Sequence, residues 1–168
     1  MDERRRRFEQ LVLPHLGAAY NLARWLAARE ADDVTQEALL RAFRAFDGFR
    51  GGDAKAWLLA IVRNCHYTAA ARTRKNVPLP EDADIASDAP DPECSAIDRD
   101  RARKLNRAIA SLPDEFRETL VLREMEDLSY REIAEITGAP IGTVMSRLAR
   151  ARALLRERWT AETKETVP

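Results

Sequence analysis

Thr143, Ser146, Arg147 and Arg150 have the types and spacing to read DNA bases. At about 100° per residue they share one face of a helix opening at Ile141. Ile141, Val144, Leu148, Ala151, Leu155 and Trp159 share the opposite, apolar face, with Met145 at its edge in a packing role. Hydroxyls bond to base edges, and an arginine fork matches the O6 and N7 acceptors of guanine. An earlier helix face carries Arg63, Tyr67, Ala70 and Arg74, with Asn64 and His66 at its margins and Arg72 and Lys75 adding charge. Cations neutralise phosphates, a ring stacks on a base and an amide bonds to base edges, so this face suits a nucleic-acid strand. A third stripe, Asp33, Glu37, Leu40, Arg41 and Arg44, sets an apolar residue among charges. It suits either plain solvated surface or a docking face for a partner helix. Catalytic chemistry has less to stand on. Cys65 and His66 are neighbours, so on a helix they point about 100° apart, and no acid partner accompanies them. Cys65 falls on a core face as a buried thiol. The two cysteines and two histidines are scattered, so no metal site, cofactor or enzymatic activity is expected.

Helices must position these groups. Residues 4–29 place Phe8, Leu11, Val12, Leu16, Ala19, Leu22, Ala23 and Leu26 at helical spacing, with Pro14 and Gly17 kinking or dividing the run. A second helix is expected from Asp32 or Asp33, with Asp33 and Gln36 spaced as a capping box and Leu39, Phe43 and Phe46 facing the core. The glycines of 47–53 break it, and Asp53 caps a third helix from Ala54 to Lys75. That helix turns Trp57, Leu58, Ile61, Val62, Cys65 and Ala69 inward. Helix continues over 99–111, and Pro113 with Asp114 and Glu115 marks a new start. Ser129 and Glu132 form a capping box before a short helix that Gly138 ends. Small Ala134, the turn at Gly138 and apolar Val144 then complete a helix-turn-helix pattern.

The chain has 168 residues and zero formal net charge, which excludes a uniformly basic polyanion binder and an acidic solvating tail. The zero hides a layout: residues 1–76 carry +5, 77–98 carry −7, 99–159 carry +3 and 160–168 carry −1. The acidic stretch holds Pro78, Pro80, Pro90 and Pro92 and has no period, as expected of a linker between two domains. No apolar run or leader-like start points to a membrane, so a cytoplasmic location is expected.

The sequence 32–64 (DDVTQEALLRAFRAFDGFRGGDAKAWLLAIVRN) resembles the conserved second region of bacterial sigma factors. The sequence 112–157 (LPDEFRETLVLREMEDLSYREIAEITGAPIGTVMSRLARARALLRE) resembles their fourth region. With no other sigma regions and a short acidic link, the chain is similar to the extracytoplasmic-function group. The resemblance implies an all-α protein of two small helical domains. Residues 1–76 would bind core polymerase and the −10 element, 77–98 would be a flexible acidic linker, and 99–168 a helix-turn-helix domain for the −35 element. Asp33, Gln36, Glu37, Leu40 and Arg41 would dock on the clamp helices of the largest polymerase subunit. Phe49, Arg50, Asp53 and Lys55, in and beside the 47–55 loop that captures a flipped base, would contact the −10 element with Arg63, Asn64, Tyr67 and Arg74. Thr143, Ser146, Arg147 and Arg150 would read the −35 element. Met145 stands where many relatives carry Lys or Arg, and Thr68 where many carry Asp or Asn. The implied partners of this monomer are the polymerase clamp and flap, promoter DNA and an anti-sigma factor, the last providing its sole link to a membrane. The alternative is a stand-alone helix-turn-helix regulator that dimerises on palindromic operators.

Overall fold

The computed structural model describes residues 2–73 and 95–164, all but a few of them helical and none in a strand. Arg74, Lys75, Cys94 and the expected linker as far as residue 94 lie outside the described residues. Among the described residues no helix is long and apolar enough to cross a membrane.

The first half is built from α1 (Asp2–Leu11), α2 (Leu16–Ala27), α3 (Ala31–Ala45) and α4 (Ala54–Thr73). Pro14 sits in a short 3-10 turn, Leu13–His15, that divides α1 from α2. The division re-aims the chain and leaves Leu11 and Leu16, expected in the core, exposed. Helix α3 opens at Ala31 after a further 3-10 turn, and its first residue is preceded by Glu30 without a side-chain cap. Asp33 therefore lies inside the helix, and the expected Asp33–Gln36 capping box does not form. Small residues at Ala31, Val34, Thr35, Ala38 and Ala42 fill the buried face of α3, with Leu39 and Phe43 only partly covered. The Asp53 cap does form: its carboxylate accepts the Ala56 amide at 3.2 Å. Leu58, Leu59, Val62 and Cys65 then turn inward, while Phe49 and Trp57 pack with ring centroids 4.9 Å apart.

The second half holds α5 (Ala96–Ala110), α6 (Asp114–Leu120) with its wider continuation Val121–Met125, α7 (Tyr130–Thr137) and α8 (Ile141–Lys164). Helix α5 opens earlier than 99 because Ser95 accepts the Asp98 amide. Both bonds of the Ser129–Glu132 capping box are present. Gly138 adopts φ 70°, a left-handed turn that side chains resist and glycine accepts. Val144, Leu148 and Ala151 seal α8 against α6 and α7. Met145 is 49% exposed and Ile141 is exposed too, so neither has the packing role expected of it. The buried apolar residues of both halves form one contiguous cluster, with α2 against α6 and α4 against α7.

Candidate nucleic-acid interface

Helix α8 presents Thr143, Ser146, Arg147 and Arg150 away from its sealed face, which is the geometry a recognition helix needs. Ser146 and Arg150 are exposed, and the Ser146 hydroxyl donates to the Thr143 carbonyl at 3.0 Å. Arg147 is more restrained: its guanidinium lies 3.4 Å from the Glu115 carboxylate on α6.

Helix α4 brings Arg63, Asn64 and Tyr67 to one surface, with the Arg63 guanidinium 4.5 Å from the centre of the Tyr67 ring. Asn64 is exposed and lines an open groove with Tyr67, Thr68, Ala71 and Arg72. Thr68 is exposed and lines the same groove. Arg74, assigned to the same face, lies outside the described residues. At the N-terminal end of α4, Arg50 and Asp53 are exposed on the loop, Lys55 is partly buried, and Phe49 packs between Phe46 and Trp57. Burial pushes the Asp53 carboxyl up, but the Ala56 amide, the Glu132 side chain and the Lys55 amide outweigh it and hold the group below its ordinary value.

The third stripe is open to solvent. Asp33, Gln36 and Leu40 are exposed on α3, and Leu40, at 53%, is among the most exposed large apolar side chains. Arg41 Nε donates to Glu37 Oε1 at 2.6 Å, one helical turn away.

The structure also places groups that sequence patterning missed. Glu118 of α6 is only 1% exposed and hydrogen-bonds to Arg63. The Tyr67 hydroxyl lies 3.4 Å from the same carboxylate. Burial pushes the Glu118 carboxyl up against the pull of Arg63, Tyr67 and Arg147. Burial and then the Glu118 charge push the Tyr67 hydroxyl up to about 12. Glu126 is held by Lys55, whose Nζ lies 2.7 Å from its carbonyl and 3.3 Å from its carboxylate, and by Asn21 at 2.8 Å. The available signal for Glu118 was an acid three and four residues before buried Val121 and Leu122, on the inward stripe of its helix.

Cys65 is buried, and burial pushes its thiol up, away from the thiolate a nucleophile needs. Among the described residues no cluster of His, Cys, Asp or Glu could hold a metal ion.

A helix-turn-helix with an arginine-bearing recognition face, joined to a second helical module with a cation–aromatic–amide face, defines a two-module DNA-binding protein. Residues 11–76 match the family Sigma-70 region 2, and residues 102–155 match Sigma-70, region 4. The chain is 36% identical over 165 residues to the ECF RNA polymerase sigma factor SigE of Mycolicibacterium smegmatis, covering 95% of this chain and 64% of that protein. It is 35% identical over 145 residues to the ECF RNA polymerase sigma-E factor of Escherichia coli, covering 78% of this chain and 74% of the relative. Among solved structures, the sigma factor RpoE in complex with the anti-sigma factor NepR from Bartonella quintana superposes with a TM-score of 0.77 at 30% identity. That match covers 91% of this chain and 96% of the other. The chain belongs to the sigma-70 family, in its extracytoplasmic-function group of RNA polymerase sigma factors.

Proposed function

We propose that the protein directs core RNA polymerase to specific promoters by docking through α3, opening the −10 element on the α4 face and reading the −35 element with α8. The reading is carried by α8, which seals Val144, Leu148 and Ala151 inward and turns Thr143, Ser146, Arg147 and Arg150 outward. In the major groove, Arg147 and Arg150 would bond to base edges, while Thr143 and Ser146 would take further base or phosphate contacts. On the other module, Asn64, Tyr67, Arg63 and Lys55 would hold the unpaired strand, with Phe49, Arg50 and Asp53 at the loop beside it. Asp33, Gln36, Glu37, Leu40 and Arg41 form the surface for the polymerase clamp helices.

Two different DNA elements need two different readers and no two-fold symmetry, so a monomer suffices. Flipping a base out of the duplex costs a few kcal/mol. The polymerase supplies the difference by holding both modules in register, which makes the second contact effectively intramolecular. An anti-sigma factor that covers the α3 and α4 faces would keep the chain from the polymerase. The solved relative in complex with NepR supports such a partner.

Run-off transcription with core polymerase on a genomic fragment library tests the reading. Initiation at a defined set of start sites is expected. A chain that binds core polymerase and yields no specific start would overturn it.

A further inference from the structure

The loop assigned to base capture has little of its own to hold its shape. Gly51 and Gly52 adopt φ of 89° and 99°, and Gly48 closes the 3-10 turn Phe46–Gly48 that leads into them. Glycine loses more conformational freedom on ordering than any other residue, so a loop this rich in it must be fixed from outside. Helix α1 does so. The Arg4 guanidinium donates through Nη2 to the Phe43 carbonyl at 2.6 Å and to the Arg44 carbonyl at 3.4 Å. Both lie in the last turn of α3, where carbonyls outnumber helical donors and the dipole favours a cation. The same guanidinium sets Nε 2.9 Å from the Asp47 carboxylate and lies 4.7 Å from the centre of the Phe43 ring. Arg4 thus holds the end of α3 together with the turn that follows it. Its neighbours Arg5 and Arg6 pair instead with Glu9 and Asp2 on α1 itself. One turn along α1, buried Phe8 meets the Phe43 and Phe46 rings edge-on at 5.2 and 5.3 Å. Phe46 stacks on Phe49 at 6.0 Å, and Phe49 packs on Trp57. An unbroken line of contacts therefore runs from Arg4 to the side chain of Phe49 in the loop.

We propose that Arg4 is a positioning residue for −10 recognition: it pins the end of α3 to Asp47, so that the loop presents Phe49, Arg50 and Asp53 to the captured base in one arrangement. This rests on the reading of that loop as the −10 capture site. Arg4 touches no DNA in this role. It removes ordering that the loop would otherwise undergo on binding, and the gain shows as affinity and as discrimination between bases.

The full-length chain and its complex with core polymerase test this. Amide hydrogen exchange followed by NMR reads the Phe46 and Phe49 amides, which donate to the Phe43 and Phe46 carbonyls. Initiation is read on one promoter recovered from the run-off library, with each −10 base substituted singly and with the −35 element intact or scrambled. Arg4→Ala is expected to speed exchange of both amides by about 10-fold or more, the lower end for a lost hydrogen bond to a charged group. It should also narrow discrimination at the −10 element by about 3- to 10-fold, the range of one side chain's ordering, and leave discrimination at the −35 element as in the wild type. A loss of stability alone would lower initiation on every template alike and leave these ratios unchanged. Arg6→Ala removes the same charge from the same helix and should alter neither readout. Arg4→Lys keeps a charge for Asp47 without the fork that also reaches the carbonyls, and should recover part of both losses. Asp47→Asn loosens the turn from its exposed side and should act in the same direction as Arg4→Ala, which decides the matter if Arg4→Ala does not fold. Unchanged exchange in Arg4→Ala, equal effects of Arg4→Ala and Arg6→Ala, or faster exchange with −10 discrimination intact would overturn the proposal. A wild-type chain that initiates without regard to any −10 base would overturn the reading of the loop instead, while the exchange result still decides whether Arg4 braces it.

Discussion

Arg150→Ala and Arg147→Ala separate base reading from charge on the recognition helix. Arg150 is exposed on α8, so its substitution removes little from the folded chain and any loss lies in binding. A bidentate arginine–guanine contact discriminates by about 1–3 kcal/mol, or roughly 5- to 150-fold in initiation rate at limiting protein. Arg147 begins from a different state. Its side chain is 22% exposed and sits 3.4 Å from Glu115, whose own side chain is 65% exposed. A pair that open to water is worth about 0–1 kcal/mol. Arg147 must give it up to reach a base, so Arg147→Ala should cost up to about 1 kcal/mol less than Arg150→Ala at a comparable contact. Glu115→Ala, which frees Arg147, should raise initiation by up to about fivefold. The assay is initial run-off rate on paired templates sharing one −10 element, with the −35 element intact or scrambled. Losses confined to the intact template are expected. Equal losses on both would refute the assignment of α8, and weaker initiation by Glu115→Ala would refute the competition for Arg147.

Leu40→Glu should leave folding stability within about 0.5 kcal/mol, because Leu40 is largely exposed, yet weaken core polymerase binding by about 10- to 100-fold, the value of a leucine buried on docking. Competition for core polymerase against the unmodified protein measures it, and unchanged affinity would remove α3 from the docking surface. Gly138→Ala should destabilise the chain by about 1 kcal/mol: the left-handed φ of 70° costs about 1–2 kcal/mol, reduced by lost freedom in the unfolded chain, and a Cβ there meets nothing within 4 Å. Urea unfolding gives the value, and a loss above about 3 kcal/mol would reveal a clash the structure does not contain.

Local rules made the helix-turn-helix legible. The Ser129–Glu132 box, the turn at Gly138 and the inward stripe Val144, Leu148 and Ala151 each depend on residues within a few positions of one another. The same rules misread α3, because Asp33 has the spacing of a cap while the preceding 3-10 turn has already started the helix at Ala31. They misread Met145 and Ile141 because an apolar side chain at a margin can face water as readily as core when nothing opposes it. The contact between the two halves was beyond them altogether. Glu118 and Arg63 are 55 residues apart in the chain, and no periodicity links an acid on one helix to a cation on another.

Charge balance takes on a specific meaning in that contact. Affinity for nucleic acid grows with the number of phosphates a protein neutralises. Counting along the chain assigned the offsetting acids to the segment 77–98. Yet Glu118 and Glu126 lie within the second basic module, where they add little to a segment sum and cancel Arg63 and Lys55 of the first module by position. Arg63 stands over the Tyr67 ring, so the charge that Glu118 offsets lies beside the aromatic side chain of α4. The segment sums therefore overstate the positive charge that Arg63 and Lys55 leave uncompensated on the first module.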